Sequence, residues 1–129
     1  MDKVEHFEIP ADDQDRASKF YMTVFGWELN PIPGVNYARL LTKRVSERDV
    51  SPRPFEVNGA IVKRSKEVRS PVVTVSVDDM EATLRRIRGA GGKVIVRKAP
   101  FGNPPRGYTA YFRDTEGNLM GLWQVAART

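Results

Sequence analysis

The chain has 129 residues, of which 40% are hydrophobic and 29% charged, a mixture typical of one folded domain with its own core. At this length a folded chain buries roughly two thirds of the surface that its unfolded form exposes. The sequence has no cysteine, which excludes disulfides, thiolate metal sites and a cysteine nucleophile. We therefore expect a single domain over residues 1–129 that folds without covalent cross-links.

The formal net charge is +5 and the sequence pI is about 9.7. A basic chain can indicate nucleic-acid binding, but here the basic residues are scattered in short pairs at predicted strand ends and on the outer side of a predicted helix. The pairs are Lys43 and Arg44, Lys63 and Arg64, Arg85 and Arg86, and Arg97 and Lys98. This distribution favours a solvated surface over a nucleic-acid site, and salt-sensitive binding to DNA would indicate the opposite.

The first residues contain no apolar run of the kind that forms a signal peptide. The apolar stretches elsewhere are far too short to span a bilayer. Both observations predict a cytoplasmic protein that makes no membrane contact.

Residues 4–9 alternate polar and apolar side chains, which predicts a half-buried strand. Asp12 and Asp13 follow, and such a pair can cap a helix and favour its positive end. A helix is predicted over residues 13–25, because its apolar residues recur at spacings of three and four and Gly26 supplies a left-handed stop. The residues expected on its apolar face are Ala17, Phe20, Tyr21, Val24 and Phe25.

The rest of the first half and the whole second half follow the same plan. Further strands are predicted at residues 27–30, 37–42 and 59–64. The second half is predicted to contain a strand at residues 72–77, a helix at about 79–90 that ends at Gly91 and Gly92, and strands at 93–98, 108–113 and 119–124. The two connecting segments 43–58 and 99–107 are either simple links or the rim of a pocket, since binding residues concentrate on loops held by a rigid scaffold.

The halves are related by a constant offset. Asp12 and Asp78 are 66 residues apart, and so are Gly26 and Gly92. Strand, capping acids, helix and stop glycine therefore recur together, which indicates an internal repeat. The sequence predicts an α+β fold of two βαβββ modules, at about residues 3–66 and 70–125.

Several motifs resemble one known superfamily. They are HFEIPADD at residues 6–13, Phe20 and Tyr21 with VFGW at 24–27, GGKV at 91–94 and FRDTEGN at 112–118. In this order they resemble the glyoxalase/bleomycin-resistance/extradiol-dioxygenase (vicinal oxygen chelate) superfamily, especially its small proteins related to lactoylglutathione lyase. The resemblance covers about residues 4–124. It implies that the two modules curl into a half-open cup with the helices outside.

The resemblance also implies where a metal would bind. Enzymes of the superfamily hold one divalent ion with residues from the first and last strands of each module. His6 stands at the first of these positions, and the repeat and the strand pattern assign Val72, Gly59 and Gly121 to the others. Valine and glycine side chains cannot ligate a metal, so we expect no metal and no other cofactor. The alternative is one Zn, Ni or Mn ion with Glu8, Glu56 or a partner chain completing the site.

Side-chain alternation predicts which residues line the cup. His6 and Glu8 would face inward while Phe7 and Ile9 pack under the helices. The full set of predicted ligand-binding residues is His6, Glu8, Tyr37, Arg39, Thr74, Tyr111 and Trp123. For the third strand of the second module, Ala110 and Phe112 are alternatives to Tyr111.

His6 and Glu8 are candidate catalytic groups, and Trp123 is a candidate surface on which a ligand could stack. His6 and Glu8 could act as a base and an orienting carboxylate, or they could belong to a structural polar network that includes Arg39. Trp123 could stack on a flat ligand or be part of the core.

These residues give competing functional hypotheses. The first is metal-independent binding of a small organic molecule, aromatic or anionic, by sequestration or with weak acid–base chemistry in the cup. The second is a metal-dependent lyase or isomerase of the glyoxalase I type, and the third is a protein or nucleic-acid interaction module. The resemblance further implies a homodimer, since two-fold dimers are the commonest assembly.

Overall fold

The computed structural model describes residues 1–32, 37–42 and 57–127. Within these residues the chain forms eight strands and two helices, and its contacts divide it into two compact units. The first unit is His6–Pro71, and the second comprises Met1–Glu5 and Val72–Thr129. None of the helices in the described ranges is long and apolar enough to cross a membrane.

The first unit has the order βαβββ. Its elements are β1 (Lys3–Ala11), of which residues 3–5 belong to the second unit, α1 (Gln14–Phe25), β2 (Glu28–Pro31), β3 (Tyr37–Leu41) and β4 (Gly59–Lys63). The strands lie in the order β2-β3-β4-β1, with β1 and β4 parallel and the other pairs antiparallel. The chain therefore passes through α1, β2 and β3 before β4 pairs with β1.

The second unit repeats this plan. Its elements are β5 (Val72–Ser76), α2 (Met80–Gly89), β6 (Lys93–Phe101), β7 (Gly107–Arg113) and β8 (Leu119–Val125). The strands lie in the order β6-β7-β8-β5, and β5 and β8 are the parallel pair. The predicted α+β fold of two βαβββ modules is confirmed.

The helix starts preserve the predicted repeat. The Asp13 carboxylate accepts a hydrogen bond from the Arg16 backbone N–H at 3.0 Å, and Asp79 accepts one from Ala82 at 3.1 Å. Each bond pairs one of the otherwise unpartnered N–H groups of a first helical turn. The two caps are 66 residues apart, as the sequence indicated.

The left-handed glycines that follow the two helices differ from the repeat offset by one residue. Gly26 takes the left-handed conformation after α1, with φ 72°. After α2 the left-handed residue is Gly91, with φ 98°, and Gly92 instead packs closely against the Ile87 side chain. The offset between the stop glycines is therefore 65, because α2 is the shorter helix.

The core of the second unit lies between α2 and its sheet. Met80 and Leu84 of the helix are buried against sheet residues that include Ala110 and Leu122. Burying a side chain of this size contributes roughly 1.5–3 kcal/mol. The Gln124 side-chain oxygen also accepts a 2.8 Å hydrogen bond from the Met80 backbone N–H, which ties the start of α2 to β8.

The core of the first unit lies beneath α1, and Leu40 and Ile61 are its fully buried centre. The rings of Tyr21 and Trp27 stack here with centroids 5.4 Å apart and an interplanar angle of 11°. Such ring pairs add about 0.5–1.5 kcal/mol beyond the area that they bury.

The apolar face predicted for α1 is only partly buried. Ala17 and Tyr21 pack against the core, whereas Phe20, Val24 and Phe25 are 57%, 54% and 58% exposed. The periodicity predicts that the five residues share an apolar face, and the structure leaves these three of them largely exposed. The periodicity placed them within one wide stripe, but the sheet beneath α1 covers only its centre.

The turn between β7 and β8 is organised by Asp114. Its carboxylate accepts hydrogen bonds from the backbone N–H groups of Glu116 and Asn118, both at 2.9 Å, and from the Asn118 side-chain amide at 3.2 Å. These bonds, led by those from Asn118, lower the pKa of the Asp114 carboxyl below its usual value, because they favour the charged form. Gly117 supplies the positive φ, 83°, that the turn requires.

We expect Asp114→Asn to lower the urea midpoint of unfolding at pH 7. A depressed folded-state pKa stabilises the fold above the unfolded-state value, and this contribution is lost as the pH falls through the folded-state pKa. The difference between wild type and variant should therefore shrink as the pH falls below the usual pKa of an aspartate carboxyl. Glu116→Gln removes the same charge from the same turn and serves as the control. If the two substitutions lowered the urea midpoint equally, this would contradict the stabilising role assigned to the Asp114 carboxylate.

Candidate functional site

Alternation of side chains gives the first unit's sheet two different faces. Phe7 and Ile9 pack into the core beneath α1, so His6 and Glu8 point to the opposite side, which we call the first distal face. On that face Glu8 pairs with Ala60 of β4, and Ala60 pairs with Arg39 of β3. These three residues form one row across three strands, spaced about 4.8 Å from strand to strand.

The first distal face brings four predicted site residues together. Tyr37 is two residues from Arg39 and shares its face, and His6 and Glu8 are about 7 Å apart along β1. Glu8 is only 6% exposed, His6 and Tyr37 are half-buried, and Arg39 is exposed. A carboxylate buried to this extent needs polar partners, and both Glu8 and His6 do have interactions of their own. The pair can therefore serve either in acid–base chemistry or in a structural network.

The second unit has an equivalent surface, which we call the second distal face because it is turned away from α2. Thr74 of β5 pairs with Gly121 of β8, and Gly121 pairs with Tyr111 of β7. In the next row Trp123 lies between Ser76 and Thr109. The predicted residues Thr74, Tyr111 and Trp123 are therefore neighbours on one face.

The register also resolves the choice among the β7 residues. Ala110 belongs to the buried core beneath α2, and Phe112 packs against it. Tyr111 lies between them and so points the other way. Of the three alternatives, only Tyr111 contributes to the second distal face.

Two glycines shape the second distal face. A Cβ atom on Gly121 would lie 2.6 Å from the Thr74 hydroxyl oxygen, so this hydroxyl occupies the space of the missing side chain. A Cβ atom on Gly107 would lie 2.5 Å from Cζ2 of Trp123, so the indole extends over Gly107. The space beside Thr74 is therefore filled by its own hydroxyl, and the face has an aromatic surface at the start of β7.

The indole of Trp123 has a second aromatic neighbour. The Phe101 ring meets it edge to face, with centroids 5.8 Å apart and an interplanar angle of 81°. Pairs prefer this geometry by about 0.5–1.5 kcal/mol beyond the area that they bury, so the contact favours one orientation of both rings. The Phe101 contact holds the indole in place. Because Trp123 is only half-buried, part of its surface stays accessible.

The sequence analysis missed several residues of these faces. Phe101 was assigned to a connecting loop over residues 99–107, but β6 continues to Phe101, and the connection is shorter. Ala60, Gly107 and Thr109 were also missed. For Thr109 the alternation from Tyr111 was an available signal, whereas the contact of Trp123 with Phe101 crosses strands and has no local signal.

The assignment of Gly59 to a metal-ligand position was wrong. Gly59 pairs with Phe7, and a Cβ atom there would lie 2.6 Å from Cδ2 of the Phe7 ring, on the core side of the sheet. The residue equivalent to Gly121 is Ala60, because Ala60 pairs with Glu8 as Gly121 pairs with Thr74. One residue of register separates the two positions and changes the face.

A divalent metal does not fit the side chains found at the four implied positions. His6 supplies a nitrogen ligand, but Val72, Ala60 and Gly121 offer no donor atom. Among residues 1–32, 37–42 and 57–127 no group of three or more His, Asp or Glu side chains could hold a metal ion. Glu56, and most of the predicted 43–58 connection, lie outside the described residues.

The comparisons with known proteins identify the family. A model of the bleomycin resistance protein-like N-terminal region matches residues 3–42. A glyoxylase-like domain-containing protein of Didymella fabae is 31% identical over 125 residues, which is 93% of this chain and 91% of that protein. The chain therefore belongs to the glyoxalase/bleomycin-resistance (vicinal oxygen chelate) superfamily.

A second curated relative is much longer. CFP32 of Mycobacterium tuberculosis (strain CDC 1551 / Oshkosh), whose name places it among the glyoxylases, is 27% identical over 124 residues. The match covers 92% of this chain but 44% of CFP32, so the chain spans less than half the length of that relative.

Solved structures share the fold at low sequence identity. A hypothetical protein from Bacillus halodurans C-125 superposes with a TM-score of 0.65 at 12% identity, covering 99% of this chain and 97% of that one. Methylmalonyl-CoA epimerase from Mycobacterium tuberculosis superposes with a TM-score of 0.58 at 19% identity, covering 96% and 88%. At these identities the likeness shows the fold, and one such fold supports many functions.

The register of β4 can be tested with two glycine substitutions. We expect Gly59→Ala to lower the free energy of unfolding by about 1–3 kcal/mol, because the added methyl group meets the Phe7 ring in a packed core. Gly89→Ala at the end of α2 has open space around it and should instead stabilise by about 0.4–1 kcal/mol. Urea denaturation measures both values. A neutral Gly59→Ala would mean that this position does not face the core.

Proposed function

We propose that this protein binds a small organic molecule without requiring a metal ion, and that His6 and Glu8 supply weak acid–base chemistry. The observation that carries the proposal is the second distal face. There a restrained indole, Trp123, adjoins the hydroxyl-bearing residues Thr74 and Tyr111. Ligand sites combine apolar surface with a few placed polar groups, and here the indole supplies the apolar surface and the hydroxyls supply the polar groups.

The first distal face supports the acid–base part of the proposal. A histidine can exchange a proton near neutral pH, and a carboxylate nearby can orient it or share the proton. His6 and Glu8 lie on one face of β1 with Ala60 beside Glu8, so a small residue borders the pair. Methylmalonyl-CoA epimerase is a structural neighbour, and epimerisation is one reaction to assay.

The alternative function is that of a metal-dependent lyase or isomerase of the glyoxalase I type. The names of the Didymella fabae and mycobacterial relatives favour it. The side chains at the four implied metal positions do not favour it. His6 is the only histidine in the sequence, and the three equivalent positions carry no donor atom. Metal binding distinguishes the two functions.

A homodimer is also part of the proposal. Phe20, Met22, Val24 and Phe25 of α1 are each more than half exposed. Phe20 and Val24 are one helical turn apart and so are neighbours on the surface, and adjacent exposed apolar side chains commonly mark an interaction site. The molar mass in solution, from light scattering, would test the prediction.

We expect the metal content of tag-free protein, purified without chelator and then offered Zn, Ni, Co or Mn, to stay near zero per chain. The physical reason is that one histidine and one nearby carboxylate provide too few ligands for a stable site. Elemental analysis gives the stoichiometry, and His6→Ala is the control. About one metal per chain, lost on His6→Ala, would overturn the metal-independent function and favour the glyoxalase type.

The binding of a ligand to Trp123 can be followed by the fluorescence of this tryptophan. The sequence has two tryptophans, so Trp27→Phe leaves Trp123 as the only one. We expect neutral and anionic naphthalene and quinoline derivatives, screened against this variant, to include compounds that change its tryptophan fluorescence. Trp123→Leu should weaken the binding of such a compound roughly tenfold, measured by calorimetry, because a stacking contact of about 1.4 kcal/mol is lost. Unchanged affinity in Trp123→Leu would contradict the role of this face.

A further inference from the structure

We propose that the second distal face binds an uncharged planar ring of a ligand in preference to a charged one. Charged groups of the same ligand contact other parts of the protein. This inference rests on the proposed function and names the class of ligand group that the face accepts. It begins from the inner strands β5, β8 and β7. The residues that these strands place in the two central rows of the face are Thr74, Ser76, Gly121, Trp123, Thr109 and Tyr111.

Every one of these six residues is uncharged. Four carry hydroxyl groups, which can both donate and accept hydrogen bonds. Thr74 is 2% exposed and is covered by the protein, so a ligand reaches these rows at the half-buried residues Ser76, Trp123 and Thr109. Moving a charged group out of water costs far more than moving a neutral polar group, unless an opposite charge meets it. The central rows offer no such charge, so they favour a neutral group with hydrogen-bonding edges.

The equivalent rows of the two units show that this neutrality is specific to the second one. Thr74 stands where the first unit has Glu8, and Tyr111 stands where it has Arg39. The same strand positions therefore present an acid and a base in one unit and two hydroxyl-bearing residues in the other. The fold itself tolerates charges at these positions, so their replacement by hydroxyl residues sets the chemistry of the second distal face.

The shape of the face explains why the ring must be planar. The indole of Trp123 extends over Gly107, and the edge-to-face contact with Phe101 restrains it. A ring held in this way loses little conformational freedom when a ligand stacks on it, which favours binding. Ser76 and Thr109 flank Trp123 in its row and are half-buried like it, so a flat group stacked on the indole lies beside their hydroxyl groups.

The test compares two ligands that share a ring but differ in charge. Naphthamide is neutral and naphthoate is its anionic counterpart, and both are titrated into the Trp27→Phe protein. We expect naphthamide to bind about tenfold more tightly or better, with an affinity that changes little with salt, because no ion pair contributes. Equal binding, or tighter binding of naphthoate, would overturn the inference.

A charge placed on the face should reverse the preference. Thr109 is the strand neighbour of Trp123, and Thr109→Lys adds a cation there. This variant should gain affinity for naphthoate and lose it for naphthamide. Thr115→Lys adds the same charge in the exposed turn after β7 and serves as the matched control. If Thr109→Lys and Thr115→Lys change the two affinities alike, the ring does not bind at this face.

The outcomes also separate the inference from the proposed function. If neither compound binds, or if Trp123→Leu affects neither affinity, the proposed function fails at this face, and the inference fails with it. If both compounds bind and both depend on Trp123, but naphthoate binds as well as naphthamide, only the selectivity for an uncharged ring is wrong. Urea denaturation of each variant shows whether a loss of affinity reflects a loss of folded protein.

Discussion

The pairing of the first and last strands of each module is the constraint on which the rest of the structure depends. β1 pairs in parallel with β4, and β5 pairs in parallel with β8. Because side chains alternate along a strand, each pairing decides at once which residues meet the helix and which lie on the distal face. A shift of one residue would exchange the two sets. The ring of Phe7 over Gly59 and the hydroxyl of Thr74 over Gly121 are close contacts that fit only the observed register.

This constraint explains how the two modules can share a fold and differ in chemistry. The core side of each sheet must remain apolar, because a helix covers it. The distal residues are free of that requirement. Glu8 and Arg39 on one module correspond to Thr74 and Tyr111 on the other, so one distal face carries charge and the other does not in its central rows. The superfamily fold thus leaves function to a few positions whose side chains the core does not restrict.

The two helices show the same freedom on their outer sides. Phe20 and Met22 of α1 are 66 residues before Arg86 and Arg88 of α2, and all four are exposed. Where α2 presents arginines to solvent, α1 presents large apolar side chains. Exposed apolar groups cost solubility unless another surface covers them. The repeat therefore preserves the helix geometry and the buried side of each helix, while the outer sides have diverged.

The sequence by itself determined the order of elements, the N-caps at Asp13 and Asp79, and the division of the first strands into core and distal residues. These features depend on neighbours a few positions apart, so periodicity and capping residues reveal them. It also identified seven site residues, which the structure places in two groups, one on each distal face. Their roles in binding stay predictions.

Only the tertiary structure decided the remaining features. That Gly59 faces the core and Ala60 the distal side follows from inter-strand register, which no local pattern fixes. The contact of Trp123 with Phe101 joins residues on different strands, and the exposure of Phe20 and Phe25 depends on how much of α1 the sheet covers. Each of these is a relation between distant segments, and such relations arise when the strands pair and the helices pack on them.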